Sequence, residues 1–200
     1  MATEAALSAL DRAWSLLAPL GRPLAVIGGV ALAAWNHVRA TRDVDLLIAV
    51  DLAEIEPLLA VLRSHGFRPR HSPPVRAVGD LHFVQLLYTP PDEFYDVPLD
   101  LILAESALQR SALERRVQRE VPGIRGPIDI LRCDDLILFK LVAGRLIDLA
   151  DAAMLLRENC DVLDLAYLRT WLDRLQLGAE LAGVWREAFP DAQPPASLRS

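Results

Sequence analysis

Length, composition and charge already exclude several classes of protein. The chain has 200 residues, 52% of them hydrophobic and 24% charged, and a formal net charge of -6. This is the profile of an ordinary globular protein, of one domain or of one domain with a helical extension. The longest apolar stretch, residues 24–35, falls short of the roughly 18 residues that a membrane span needs.

The cysteines and the start of the chain indicate a cytoplasmic protein. Cys133 and Cys160 lie far apart, without a second thiol or a histidine at ligand spacing, so the sequence suggests neither a zinc site nor a disulfide framework. The chain does not open with a basic segment followed by an apolar one, as secretion requires. The acidic net charge argues against general electrostatic adhesion to nucleic acid, while a local basic patch stays compatible with it.

The first third of the chain predicts two buried strands, each followed by a helix. Apolar residues at spacings of three and four predict an initial helix over residues 3–18. A short apolar run at 24–27 predicts a buried strand, which ends in Gly28-Gly29 before a second helix begins. Another strand is predicted at 44–50, and a capping-box pattern opens the helix after it.

The rest of the chain changes from strands to helices. A proline-containing loop is predicted over residues 69–80, and strands at 81–89 and 97–104 are separated by a turn, so they predict an antiparallel hairpin. From residue 105 onward the periodicity is mostly helical. The predicted helices cover residues 105–119, 134–144, 147–158, 164–176 and 178–188.

These elements together predict an α+β fold. We expect a mixed sheet of four to five strands, flanked by helices and followed by a helical C-terminal half. The predicted domains are an α/β core with its N-terminal helix at residues 1–104, a helical part packed on this core at 105–190, and a tail at 191–200.

Two aspartates at the start of the second strand are the first candidates for chemistry. Asp43 and Asp45 are separated by one residue, so strand alternation places both carboxylates on one face. The neighbouring Val44, Leu46 and Ile48 supply no cation, and two adjacent anions repel each other unless a cation lies between them. A hard divalent cation, Mg²⁺ or Mn²⁺, is the natural occupant of such a site.

A third carboxylate, Asp100, interrupts the apolar strand at 97–104, where a lone charge needs a partner. If this strand lies beside the second strand, Asp43, Asp45 and Asp100 form one cluster. Such a cluster is able to hold two metal ions roughly 4 Å apart, the arrangement used for in-line phosphoryl or nucleotidyl transfer.

The glycine pair adds a feature suited to phosphate. Gly28-Gly29 stands at a strand-to-helix turn, where the missing side chains let a triphosphate approach the backbone. In its glycine pair and its aspartates the chain resembles the polymerase-beta-like nucleotidyltransferase superfamily. Its Arg-x-Thr-x-Asp-x-Asp pattern is more specifically similar to the abortive-infection type, which includes toxins of bacterial toxin–antitoxin pairs. The residues that carry this resemblance are Gly28, Gly29, Arg39, Thr41, Asp43, Asp45 and Asp100.

The resemblance implies a role for each of these residues. The three aspartates are expected to be catalytic and to bind the metal. The residues expected to bind nucleotide phosphates are Gly28, Gly29, Arg39 and Thr41.

A second motif extends the resemblance to about residue 156. The helix that contains Lys140, the only lysine in the chain, is followed by Arg145, Asp148 and Asp151. The resemblance implies that Lys140 and Arg145 contact nucleotide phosphates and that the two aspartates are accessory. The residues alone also allow Asp148 to pair with Lys140 or Arg145. The pattern departs from that of the group at Ile147, where an arginine is usual.

The sequence therefore predicts a metal-dependent nucleotidyltransferase that moves an NMP from an NTP to a hydroxyl acceptor. The acceptor stays open among a protein, an RNA such as tRNA, and a small molecule of the antibiotic type. The toxin resemblance adds an antitoxin protein as a partner. The alternative from a different class is a catalytically degenerate nucleotide-binding or interaction module that keeps the fold.

Overall fold

The computed structural model describes residues 2–198 and divides into two compact units. The first comprises the residues up to Ala31 together with Arg39–Leu131, and the second comprises Leu32–Val38 together with the residues from Arg132 onward. Residue 1 of the predicted core and residues 199–200 of the predicted tail lie outside the described residues. Within the described range, no helix has both the length and the apolar character of a membrane span.

A mixed eight-stranded sheet forms the centre of the first unit, counted over the described residues. Its strands are β1 (Leu24–Ile27), β2 (Val44–Ile48), β3 (Arg68–Pro69), β4 (Val75–Val78), β5 (Leu81–Tyr88), β6 (Val97–Leu103), β7 (Val117–Arg119) and β8 (Ile128–Ile130). The strand order is β3-β5-β6-β2-β1-β8-β7, and β4 also pairs with β5. β2 therefore lies near the middle, antiparallel to β1 and parallel to β6.

The two faces of the central strands differ in burial. Val44, Leu46 and Ile48 of β2 are completely buried, whereas Asp45 between them is half-buried. β6 repeats the pattern, with alternate leucines buried around the half-buried Asp100. Because successive strand residues point to opposite faces, one face carries the apolar core and the other carries the aspartates.

Helices flank the sheet and make up the second unit. Those that begin in the first unit are α1 (Glu4–Leu17), α2 (Gly28–Ala34), α3 (Ile55–Ser64) and α4 (Ala107–Glu114). Those of the second unit are α5 (Cys133–Ala143), α6 (Leu146–Asn159), α7 (Leu165–Leu175) and α8 (Gly178–Ala188). Within the first unit α1 packs against β2 and β6, and within the second α6 packs against α5 and α8.

Local side-chain chemistry explains where several of these helices begin. The hydroxyl of Thr3 accepts the backbone N–H of Ala6 at 3.1 Å, which caps the N-terminus of α1. The capping box predicted after β2 is present: Asp51 and Glu54 bond reciprocally and open a 3-10 turn that leads into α3. Short polar side chains thus fix helix starts that sequence periodicity alone leaves approximate.

The α+β fold class and the predicted hairpin, now β5 and β6, are confirmed, and the sheet is larger than expected. β3 and β4 contain residues of the predicted loop at 69–80, while β7 lies within the predicted helix 105–119. These strands have two to four residues, too few for a period of two to be distinguished from a loop or a helix end. The uninterrupted helical part consequently begins at Cys133 and not at residue 105.

Candidate active site

Strand pairing brings two of the predicted carboxylates side by side. β2 and β6 are parallel, and their register places Asp45 directly opposite Asp100. Neighbouring strands lie about 4.8 Å apart, and paired residues share a face of the sheet. The sequence-based condition that the strand of Asp100 lie beside the strand of Asp45 is therefore met. Two half-buried aspartates occupy adjacent positions on the less buried face.

Asp43 precedes β2 and is oriented by its own loop. The hydroxyl of Thr41 donates a hydrogen bond of 2.5 Å to Oδ1 of Asp43. Thr41 is itself only 3% exposed, and its carbonyl accepts the backbone N–H of Thr3. The structure thus makes Thr41 an anchor for the Asp43 carboxylate. A contact between Thr41 and nucleotide phosphate stays a prediction.

The Gly28-Gly29 turn lies immediately beside these groups. Gly28 follows β1 with φ +62°, in the left-handed region that favours glycine. A Cβ atom at Gly28 would lie 1.8 Å from Oδ2 of Asp45, and one at Gly29 would lie 2.5 Å from Cβ of Thr41. At both positions a side chain would therefore clash with a neighbouring residue. At Gly28 the backbone conformation also favours glycine. The turn leaves backbone, and no side chain, next to Asp45.

The surroundings of Asp100 oppose its ionisation on balance. Burial raises its pKa above the ordinary value, and the negative charge of Asp43 acts in the same direction. A hydrogen bond of 3.1 Å from the side-chain amide of Gln85 and the positive charge of Arg70 lower the pKa of Asp100 only in part. The influence of Asp43 on Asp100 shows that these two aspartates share one electrostatic environment.

The aspartate carboxylates suit a hard divalent cation, but they do not form a complete metal site by themselves. Among residues 2–198, no group of three or more histidine, cysteine, aspartate or glutamate side chains is arranged to hold a metal ion. Mg²⁺ usually binds through one or two carboxylates plus substrate phosphates and waters, so such a closed group is not required for it. Paired carboxylates beside a turn without side chains fit this mode of binding. The two-metal cluster stays a prediction.

The remaining predicted residues differ in their surroundings. Arg39, in the first unit, is half-buried and donates to the carbonyl of Ala40 at 3.3 Å. Lys140, Arg145, Asp148 and Asp151 belong to the second unit.

The second-unit residues form an ion-pair network. Lys140 contacts Oδ1 of Asp148 at 2.8 Å and Oδ2 of Asp151 at 2.9 Å, and Arg145 contacts Asp148 at 2.5 Å. Asp148 and Asp151 are almost completely buried and the Lys140 side chain is 12% exposed, so the two pairs with Lys140 have little competition from water, whereas the Arg145 side chain is 73% exposed. Burial alone raises the pKa of Asp148, but the hydrogen bonds from Arg145 and Lys140 outweigh it and hold that pKa below its usual value. Asp148 pairs with both basic residues that the sequence offered as alternatives.

Three further residues complete these clusters, and sequence reasoning missed them. His37 contacts Oδ1 of Asp151 at 2.9 Å, within the second unit. Gln85 contacts Asp100, and His71 in turn contacts Gln85 at 2.8 Å, within the first unit. The histidines show no spacing that signals these contacts. Gln85 does have a signal in the sequence, because it is a polar residue within the apolar half of β5.

Comparison with known proteins agrees with the fold. No protein-family model matches the chain, and no curated protein matches it by sequence. Among solved structures it resembles the antibiotic-resistance factor ANT(2'')-Ia, at 17% identity over 90% of this chain and 95% of that one, with a TM-score of 0.52. A putative nucleotidyltransferase from H. pylori matches at 17% identity over 93% and 82% of the two chains, with a TM-score of 0.51.

A third solved structure is similar to the chain over most of its length. A putative nucleotidyltransferase from Thermotoga maritima matches at 13% identity over 84% of this chain and 92% of that one, with a TM-score of 0.51. Sequence identities this low support a shared fold, but they do not establish a shared reaction. The chain therefore has a nucleotidyltransferase-like fold, and its chemistry has to be argued from its own residues.

Proposed function

We propose that this protein is a metal-dependent nucleotidyltransferase that transfers an NMP from an NTP to a hydroxyl acceptor. The observation that carries the proposal is the pairing of Asp45 with Asp100 on the less buried sheet face, beside the side-chain-free turn at Gly28-Gly29. The proposal places the protein in the cytoplasm, where NTPs and Mg²⁺ are both abundant.

Each residue has a defined part in this proposal. Asp43 and Asp45 hold the cation together with the NTP phosphates, and Thr41 keeps the Asp43 carboxylate in place. When bound, the cation offsets negative charge on the phosphates and on the departing pyrophosphate. The backbone at Gly28-Gly29 lies against the phosphates, and Arg39 supplies positive charge to them. Phosphate contacts by Lys140 and Arg145 stay a prediction. Asp148 and Asp151 hold Lys140 in the second unit.

The transfer itself uses Asp100 as general base. A carboxylate oxygen of Asp100 takes the proton of the acceptor hydroxyl as that oxygen forms a bond to the α-phosphorus. The bond from the α-phosphorus to the bridging oxygen breaks, and pyrophosphate leaves with that electron pair. Burial favours the protonated form of Asp100, so the carboxylate is a better proton acceptor than an exposed aspartate.

The test is transfer of label from each of four α-labelled NTPs, with Mg²⁺, to total RNA, to protein and to hydroxyl-bearing aminoglycosides. We expect label to enter one acceptor class and pyrophosphate to be released. Asp45→Asn should lower the rate at least about 100-fold. The matched control is Asp80→Asn, the same chemical change in an exposed turn between β4 and β5. Equal rates for the two variants would show that the site is assigned wrongly.

The alternative from a different class is a nucleotide-binding module without turnover. Saturable NTP binding that is independent of Mg²⁺, with no release of pyrophosphate, would identify this function. The toxin role belongs to the first candidate. It requires growth arrest on expression that Asp45→Asn relieves.

A further inference from the structure

A polar row on the sheet extends beyond the paired aspartates. The antiparallel pairing of β5 with β6 places Gln85 directly opposite Asp100, on the side away from Asp45. Asp100 is therefore flanked across the sheet by a carboxylate on one side and by an amide on the other. Directly opposed side chains are the closest neighbours in a sheet, and they interact more strongly than diagonal ones.

The amide of Gln85 is bonded at both ends. Its Nε2 lies 3.1 Å from Oδ1 and 3.5 Å from Oδ2 of Asp100, and its Oε1 lies 2.8 Å from Nε2 of His71. An ionised carboxylate accepts hydrogen bonds only, so the amide NH₂ group must face Asp100. Its oxygen then faces His71, which must donate through Nε2–H. His71 thereby fixes the orientation of the Gln85 amide, and Gln85 fixes that of the carboxylate.

Strand pairing delivers His71 to this position. β3 pairs with β5, and the backbone N–H of Arg70 continues the ladder by donating to the carbonyl of Gln85 at 2.8 Å. His71 is the next residue, so its ring reaches the Gln85 side chain from the neighbouring segment. The contact therefore depends on the short strand at residues 68–69.

We propose that Gln85 and His71 are positioning residues, which orient the Asp100 carboxylate toward the acceptor hydroxyl through the chain of contacts His71–Gln85–Asp100. The catalytic part of this inference rests on the proposed function. Its geometry rests only on the hydrogen bonds between His71 and Gln85 and between Gln85 and Asp100. Removal of an outer partner of a catalytic or metal-binding group typically lowers activity 10- to 100-fold.

The kinetic test separates positioning from substrate binding. Gln85→Met keeps the length of the side chain and removes the amide, so kcat for pyrophosphate release should fall about 10-fold or more while KM for the NTP changes less than about twofold. His71→Leu should lower kcat as well, and His71→Gln should restore it because an amide N–H again faces Gln85. Gln118→Met in β7 and the exposed His65→Leu are the matched controls and should keep wild-type rates.

A second measurement does not depend on activity. In ¹⁵N-labelled protein without metal, the side-chain NH₂ signals of Gln85 are identified by their loss in Gln85→Met. We expect Asp100→Asn and His71→Leu each to shift these signals, and His65→Leu to leave them unchanged. Signals that respond to neither variant, or a wild-type kcat in Gln85→Met, would overturn the inference. If the wild-type protein transfers no nucleotide, the proposed function fails, and the NMR response still decides whether the positioning contacts exist.

Discussion

Two groups of acidic side chains in this protein are stabilised in opposite ways. In the first unit, Asp43 and Asp100 accept hydrogen bonds from neutral partners, the hydroxyl of Thr41 and the amide of Gln85. In the second unit, Asp148 and Asp151 contact the ammonium group of Lys140. The second-unit network balances buried anions with a buried cation. In the first-unit group, burial and the negative charge of Asp43 oppose the ionisation of Asp100.

Because of this difference, we expect the two groups to contribute differently to the stability of the fold. A buried carboxylate that keeps its cationic partner supports the fold, and removal of that partner is strongly destabilising. Burial and the negative charge of Asp43 instead oppose the ionisation of Asp100, and perturbed carboxylates of this kind are typical of functional sites. We therefore expect substitutions in the second unit to reduce stability, and neutral substitutions among the three first-unit aspartates to reduce activity while stability is kept.

The largest effect on stability is expected from Lys140→Met. The side chain of Lys140 is 12% exposed and contacts two carboxylates that are 1% and 3% exposed, so the variant leaves both with one cationic contact fewer. We expect the free energy of unfolding in urea to fall by about 3 to 5 kcal/mol. Unfolding is followed by tryptophan fluorescence, because Trp35, Trp171 and Trp185 all belong to the second unit.

The control for Lys140→Met is Arg63→Met. Arg63 pairs with Glu56 at the surface, where the two side chains are 40% and 67% exposed. Water screens such a pair, so its loss should cost less than about 1 kcal/mol. Similar losses for the two variants would show that the Lys140 network behaves as a surface ion pair, and the comparison between the two units would fail.

A smaller effect is expected from Gly28→Ala. The substitution forces a left-handed φ of +62° on an alanine and places its Cβ 1.8 Å from Oδ2 of Asp45. Strain of this kind costs about 1 to 3 kcal/mol, and the displaced Asp45 carboxylate should lower activity as well.

Gly183→Ala in α8 is the matched control for Gly28→Ala. A Cβ at Gly183 meets no atom within 4 Å, so this variant should gain up to about 1 kcal/mol from helix propensity. Circular dichroism during thermal unfolding measures both variants. A neutral Gly28→Ala would mean that the turn tolerates a side chain next to Asp45.

The sequence was sufficient to predict the central strands and the face on which each aspartate lies, because local rules determine both. Strands β1, β2, β5 and β6 are apolar runs long enough to be recognised, and a period of two fixes which face carries Asp45 and Asp100. The pairing of Asp148 with basic neighbours also followed from proximity along the chain, since Arg145 is three residues away.

The sequence was not sufficient where the structure depends on the register of distant segments. β3 has two residues, and its pairing with β5 brings His71 to Gln85 across 14 positions of sequence. Similarly, His37 reaches Asp151 across 114 positions. No periodicity encodes such contacts, because each depends on strand order or helix packing that is established only in the folded chain.

The smallest effect, and the one that contrasts the two groups most directly, is the pH dependence of stability. The pKa of Asp148 in the folded protein lies below 3.8, so its contribution is present above pH 3.8 and is lost as the pH falls through the folded pKa. The pKa of Asp100 lies above 3.8, so its contribution is present below pH 3.8 and is lost as the pH rises through the folded pKa. The two groups therefore respond to pH with opposite signs.

Neutral variants should reveal these signs in urea unfolding measured from about pH 3 to about pH 7 with EDTA present. Asp148→Asn should be less stable than the wild type at pH 7, and the difference should shrink as the pH falls below 3.8. Asp100→Asn should be at least as stable as the wild type at pH 7, because the variant no longer has to hold an ionised carboxylate near Asp43. If Asp100→Asn lost stability at pH 7 as Asp148→Asn does, the first-unit carboxylates would be structural, and the site would have to be sought elsewhere.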